Sequence, residues 1–253
     1  MTFPILEFDD AREAIIEPGR AKGPADLPPN VLLCFFKDVL EKLEGEGKLK
    51  VCHIHPTENG PNKLYTLEWE GRTLGVIHPG CGASYSILME ERLIAWGAKR
   101  IMACGGAGVL VADRPVGALM VPESAVRDEG ASYHYLPPGE EVVLSAAGVE
   151  CICQSLTAKG YAFSRVKTWT TDGFYRETKK RKERRLAQGC TSVDMECAAL
   201  AAVALFRGVD FAQLLYSGDS LAGPLWDNRG WMEQKELREQ VFFLAAGALA
   251  AWQ

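Results

Sequence analysis

The segments this sequence lacks are the first guide to what it is. No stretch approaches the apolar length that a membrane-spanning helix needs, and residues 1–10 carry neither a basic nor an apolar leader segment. A cytoplasmic protein with no membrane partner is therefore expected. The eight cysteines stand at 34, 52, 81, 104, 151, 153, 190 and 197, with no CxxC pair and no Cys/His group at zinc spacing. Several sit inside apolar runs such as Leu33-Cys34-Phe35, where a thiol behaves as a small hydrophobe. Reduced thiols, no disulfide framework and no metal site are the expectation. An excess of positive charge is also lacking, since 28 Lys and Arg face 33 Asp and Glu for a net charge of -5. Such a chain repels polyphosphates at long range, which argues against a nucleic-acid partner. Any small anion would have to be held by local donors. Internal repeats, low-complexity tracts and a convincing linker are missing as well, so one domain over residues 1–253 is the economical organisation.

What is present is an alternation of short apolar runs and amphipathic stretches. The runs at 31–36, 73–78, 100–104, 118–121, 165–169 and 211–216 read as strands. The stretches 84–97, 141–159, 192–207 and 233–251 read as helices. Strand followed by helix, repeated along the chain, points to an α/β fold with a parallel or mixed sheet. In helix 84–97 the apolar Tyr85, Ile87, Leu88, Leu93 and Ile94 gather near one face, leaving Glu90, Glu91 and Arg92 toward water. Loops are expected at 17–30, 56–63, 79–83, 105–108, 122–139 and 217–230. The basic block 179–185 reads as a solvated helix face, with contact to a 5′-phosphate as the functional alternative.

Four segments can carry chemistry. His78-Pro-Gly-Cys-Gly-Ala-Ser84 lies between a strand and a helix, where glycines permit a tight turn and the helix start offers unpaired N–H groups. Cys104-Gly-Gly-Ala-Gly108 follows a strand, so its backbone N–H groups could face an anion or a base edge. It is no Walker loop, lacking the Lys-Ser/Thr, and no GxGxxG opens a helix there. Asp194-Met195-Glu196 opens an almost wholly apolar helix, so a carboxylate at its mouth needs a partner, and a sugar diol would suit it. Ser217-Gly-Asp219 ends an apolar strand, a position from which a carboxyl can serve as an acid or simply cap a loop.

Taken in order, these segments resemble the nucleoside phosphorylase family, most closely its uridine phosphorylase branch. The passage Val126-Arg-Asp-Glu-Gly-Ala-Ser-Tyr-His-Tyr-Leu-Pro137 is similar to that branch's VRxxGASxHxxP. Thr170-Thr-Asp-Gly-Phe-Tyr175 resembles its SSDxFY, Val193-Asp-Met-Glu196 its xEMES, and Ile16-Glu-Pro-Gly-Arg20 its phosphate turn GDPxR. The resemblance implies a single-domain nucleoside phosphorylase fold, a central mixed β-sheet flanked by helices. It also implies a homo-oligomer, a dimer or trimer of dimers, whose neighbouring subunits complete the sites. By the same resemblance Met195 and Glu196 would bind ribose, Phe174 and Gly108 would contact the base, and Arg20 and Gly106 would lie at the phosphate. Asp219 resembles the acid with which purine-cleaving relatives protonate N7, a residue the uridine branch lacks.

The sequence also departs from the family pattern. Ala103 stands where the family has a second phosphate-binding Arg, and Gly106 where it has a hydroxyl. Thr178 and Lys180 align near the Gln and Arg that read uracil. Lys37 is a candidate to help hold phosphate. The implied reaction is cleavage of a nucleoside's N-glycosidic bond, with inorganic phosphate as co-substrate and no other cofactor. Asp219 and Glu196 would be the catalytic pair. Hydrolysis, with Glu17 as a loose candidate to activate water, and a non-catalytic nucleoside-binding protein are the alternatives.

Overall fold

The computed structural model describes residues 3–253 and contains one large mixed sheet with helices on its faces. Four strands run parallel side by side: β1 (Asn30–Cys34), β4 (Arg72–Ile77), β5 (Arg100–Val109) and β10 (Asp210–Ser220). β1 and the second half of β4 are buried throughout, the mark of a strand covered on both faces. Beyond β4 the sheet continues antiparallel through β3 (Asn62–Trp69) to β2 (Leu49–His55).

On the other side the sheet curls back on itself. β5 pairs with β9 (Cys190–Asp194), β9 with β8 (Phe163–Thr171), β8 with β6 (Leu119–Asp128), and β6 with β10, which returns to β5. Five strands thus close a ring around Ala107, Val109, Met120, Val166 and Leu215. Closure removes unpaired edges from this half of the sheet. A short β7 (Glu141–Val143) pairs with β6.

The helices follow the apolar periodicity closely. α3 (Ala146–Ala158), α5 (Cys197–Arg207) and α6 (Lys235–Ala251) fall within the expected stretches, α2 (Ala83–Ala95) begins one residue before its own, α4 (Lys179–Ala187) lies on the basic block, and α1 (Lys37–Gly45) is added. α4 is the basic block, and it has no buried residue. α5 is buried along most of its length, and it ends at Gly208 in the left-handed conformation.

Several expectations need correction, among them the loop expected at 122–139, which is β6 as far as Asp128, and the helices expected from 141 and 192, whose first residues are β7 and the end of β9. Residues 105–108 are not a loop: β5 runs through them, because Gly105, Gly106 and Ala107 pair with Leu215, Tyr216 and Ser217 while Gly108 pairs with Val193. Residues 217–220 likewise extend β10, with a register shift between Ser217 and Ser220. Glu90 and Glu91 do not face water. Both are buried, while Leu88 is 47% exposed, so α2 is rotated from the expected face to pack against α5. Among the described residues, no helix is long and apolar enough to cross a membrane.

Candidate active site

The carboxyl ends of β1, β4, β5 and β10 all lie on one edge of the sheet, where open α/β sheets leave a crevice. A cavity of about 460 Å³ opens there. Phe36 and Lys37 enter it after β1, His78 after β4, residues 105–108 from β5, and Gly218 and Asp219 from the end of β10. The β9–α5 junction adds Val193, Asp194, Met195 and Glu196, and Phe174 and Glu177 come from the segment after β8. Of the residues singled out in the sequence, Gly106, Gly108, Phe174, Met195, Glu196 and Asp219 therefore share one concavity.

Arg20 is not among them. It lines a separate groove with Glu17, Arg92 and Arg207, alongside α2. None of the basic residues of α4 borders the main cavity either. The basic residues that do border it are Lys37, His78 and Arg238. Burial, with Lys37 and Arg238 nearby, holds the His78 imidazole below its usual range. The Arg238 guanidinium lies 5.0 Å from the centre of the Phe36 ring and 2.9 Å from Asp38 Oδ1.

The glycines of β5 are there for packing. A Cβ at 106 would meet the Tyr216 ring at 3.2 Å, and one at 108 would meet Leu221 and Val193 at 2.9 Å and Asp219 Oδ1 at 3.3 Å. Tyr216 thus fills the space that a hydroxyl-bearing side chain at 106 would need. Residues 105–107 pair with β10 and Gly108 with β9, so this segment is part of the sheet rather than a free loop.

Asp194 and Glu196 look equivalent in sequence but differ in role. Asp194 is buried and fully engaged: Oδ1 accepts from the hydroxyls of Thr168 (3.1 Å) and Thr170 (2.9 Å). Its Oδ2 accepts from the N–H groups of Glu196 (2.9 Å) and Cys197 (2.6 Å), capping α5. Glu196 is the residue before the helix rather than within its first turn. Its Oε1 accepts from Gly82 N at 2.6 Å, at the start of α2, where Gly82 has a φ of 90° that favours glycine. Burial first, then the charge of Asp194, pushes the Glu196 carboxyl up to about 8.

Asp219 sits at the irregularity that closes β10. Extra residues of this kind re-aim a side chain, and they are frequent beside active sites. Its Oδ2 accepts from Trp226 Nε1 at 2.7 Å, and its Oδ1 lies on the Gly108 side. Glu177, absent from the sequence expectations, borders the same space. Burial, then Asp219 and Asp194, pushes its carboxyl up to about 7. Its only sequence signal was its place three residues after Phe174. Gln213 was also missed. It is buried, lines the cavity, and its Oε1 has no partner among the described residues.

Comparison with known proteins places the fold in a family. The Phosphorylase superfamily pattern matches residues 31–248, a segment that excludes Arg20. A DeoD-type purine nucleoside phosphorylase of Clostridium perfringens is 27% identical over 164 residues, covering 62% of this chain and 68% of the relative. Among solved structures, an AMP nucleosidase from Bacteroides thetaiotaomicron superposes with a TM-score of 0.72 at 21% identity, covering 91% of this chain and 90% of that one. A uridine phosphorylase from Vibrio fischeri does so with a TM-score of 0.72 at 22% identity, covering 88% and 90%. The chain belongs to the phosphorylase superfamily, the family of nucleoside phosphorylases and nucleosidases, and it has that family's fold.

Proposed function

We propose that the protein is a purine nucleoside phosphorylase, cleaving the N-glycosidic bond with phosphate to give the free base and ribose 1-phosphate. The observation that carries this reading is the single cavity joining Glu196, Phe174, Gly108 and Asp219. Glycosidic cleavage passes through a ribosyl cation, so positive charge grows on the sugar and negative charge on the leaving base. Glu196 has one oxygen on Gly82 N–H and its other oxygen available for a sugar hydroxyl. Phe174 offers a ring face to the heterocycle. Phosphate attacks C1′ as the C1′–N bond breaks, and the electron pair left on the base takes a proton from Asp219. Such acid assistance is worth roughly two to four decades in rate. Lys37 and Arg238 supply the cationic surroundings an oxyanion needs, standing in for the guanidinium missing at Ala103, and His78 adds a neutral imidazole beside them. Asp219 and the purine nucleoside phosphorylase relative both favour a purine over uracil. We extend the reading to a cytoplasmic homo-oligomer.

Hydrolysis is the second reading, favoured by Glu177, whose carboxyl near 7 suits a base that activates water. Base release from inosine, adenosine and uridine, measured with and without phosphate, separates the two. Strict phosphate dependence with a purine supports phosphorolysis, and turnover indifferent to phosphate overturns it. Glu196→Ala and Asp219→Ala are each expected to lower kcat/KM by about a hundredfold. Tight nucleoside binding with no base released would make the protein a binding module.

A further inference from the structure

The base end of the cavity does not stop at Phe174. That ring stands edge-to-face with Trp226, with centroids 6.5 Å apart and planes at 85°. The two rings form a partition, and a second pocket of about 330 Å³ lies beyond it. Phe174 and Glu177 border both spaces, so the two share a wall. The outer pocket is walled by Tyr175, Leu221, Pro224 and Leu225, with Gly223 at its rim. Tyr175 is 93% exposed, Leu225 82% and Trp226 55%, a concentration of unburied apolar surface on one short arc of the molecule.

Resting on the reading above, we propose that this outer pocket is a subsite for a neutral, apolar substituent on the purine ring. Base-substituted purine nucleosides would then be a substrate class of the enzyme. Asp219 reaches the edge of the base, and Trp226 donates to that same carboxylate, so a group projecting from that edge is directed at the partition and enters the outer pocket as the two rings part. The volume is ample for one ring, since a cavity of about 150 Å³ already admits benzene. Apolar side chains make up most of the wall, so a neutral group fits it best. Of the charged residues on it, Glu177, Lys179 and Lys182, the last is already held by the carbonyl oxygens of Leu221 (2.8 Å) and Ala222 (3.3 Å).

The test compares adenosine with N6-benzyladenosine, on the wild-type protein and on Gly223→Phe. A Cβ at 223 would meet only the carbonyl oxygen of Leu225, at 3.5 Å, so the larger residue fills the outer pocket without disturbing the inner one. The wild type is expected to cleave both nucleosides with kcat/KM within about tenfold of each other, and Gly223→Phe to lose about tenfold or more on the benzyl compound alone. Wild-type discrimination against the benzyl compound by about a hundredfold or more would overturn the proposal, as would an equal effect of Gly223→Phe on both substrates. Should neither nucleoside be cleaved, the functional reading fails separately. Calorimetry with the free bases then decides the subsite: N6-benzyladenine binding tighter than adenine supports it, and equal or weaker binding overturns it.

Discussion

The indole N–H of Trp226 donates to Asp219 Oδ2 at 2.7 Å, leaving Oδ1 on the side of Gly108. One oxygen is thereby fixed as an acceptor, and the other is the place for a proton meant for the base. Trp226→Phe keeps the ring beside Phe174 and removes only the donor. A hydrogen bond to a charged group is worth roughly 1.5–3 kcal/mol, so kcat is expected to fall by about tenfold with KM little changed. Trp226→Ala also removes the partition and raises KM. Steady-state kinetics of both variants on one purine nucleoside check this, and an unchanged kcat in Trp226→Phe would count against the anchoring role.

Glu196 links site chemistry to stability. Its folded-state carboxyl sits at about 8, against an ordinary 4.5, through burial and the Asp194 charge. A raised value means the native state holds a proton that the unfolded chain has released. This contribution to stability is full below about pH 4.5 and is lost as pH rises through about 8, by at most roughly 1.4 kcal/mol per pH unit. Glu196→Gln keeps an acceptor for Gly82 N–H and removes the titration. Urea unfolding near pH 5 and near pH 8 should show the variant gaining on the wild type only at the higher pH. Glu177, pushed up to about 7, leaves a residual slope of the same sign. Identical pH profiles would show that Glu196 is not buried as described.

Much of the fold was legible because its strands and helices carry their own periodicity. VLLCFF begins on β1 and FAQLLY lies on β10, α3, α5 and α6 fall inside their expected stretches, and α2 begins one residue before its own. The β2–β3 hairpin was not legible: β2 is mostly exposed or half-exposed, so its alternation carries no clear apolar signal. The glycines of β5 read as a turn because glycine usually marks one, whereas here Tyr216, Val193 and Leu221 demand its small size. Short motifs placed Glu196, Met195, Phe174, Gly108 and Asp219 in one cavity, because each sits at a strand end that the topology gathers. Arg20 was placed by a five-residue likeness with no strand before it, and it lies elsewhere. Gln213, Trp226 and Arg238 had no local signature, since only tertiary packing brings them to the site.

Asp194 should prove structural although it borders the cavity. It accepts from two backbone N–H groups and two threonine hydroxyls, and it is 7% exposed. Asp194→Ala removes the cap of α5 and strands several buried donors, an expected loss of about 3 kcal/mol. Asp194→Asn retains one acceptor and should lose about half as much. Chemical denaturation gives both values. A variant of undiminished stability but no activity would instead make Asp194 a member of the reacting set.

Glu90 provides the opposite case, a carboxyl that the fold tolerates rather than uses. It is fully buried on α2, and neither oxygen has a partner among the described residues. Burial first, then the charge of Glu91, raises its carboxyl well above the ordinary 4.5, so it is held as the neutral acid. The adjacent Glu91 behaves otherwise, pairing with Arg207 of α5 through contacts of 2.8 and 2.9 Å. An unpaired buried acid can be replaced by an apolar side chain of similar volume without leaving a charge behind. Glu90→Met is therefore expected to stabilise the protein by about 1–3 kcal/mol. The gain should widen as pH rises above about 4.5, because the wild type alone retains a proton there that its unfolded chain has lost. Glu91→Met should do the reverse and destabilise, since it strands the Arg207 guanidinium. Thermal and urea unfolding of the two variants across pH separate these outcomes, and equal destabilisation by both would mean that Glu90 has a partner in solution.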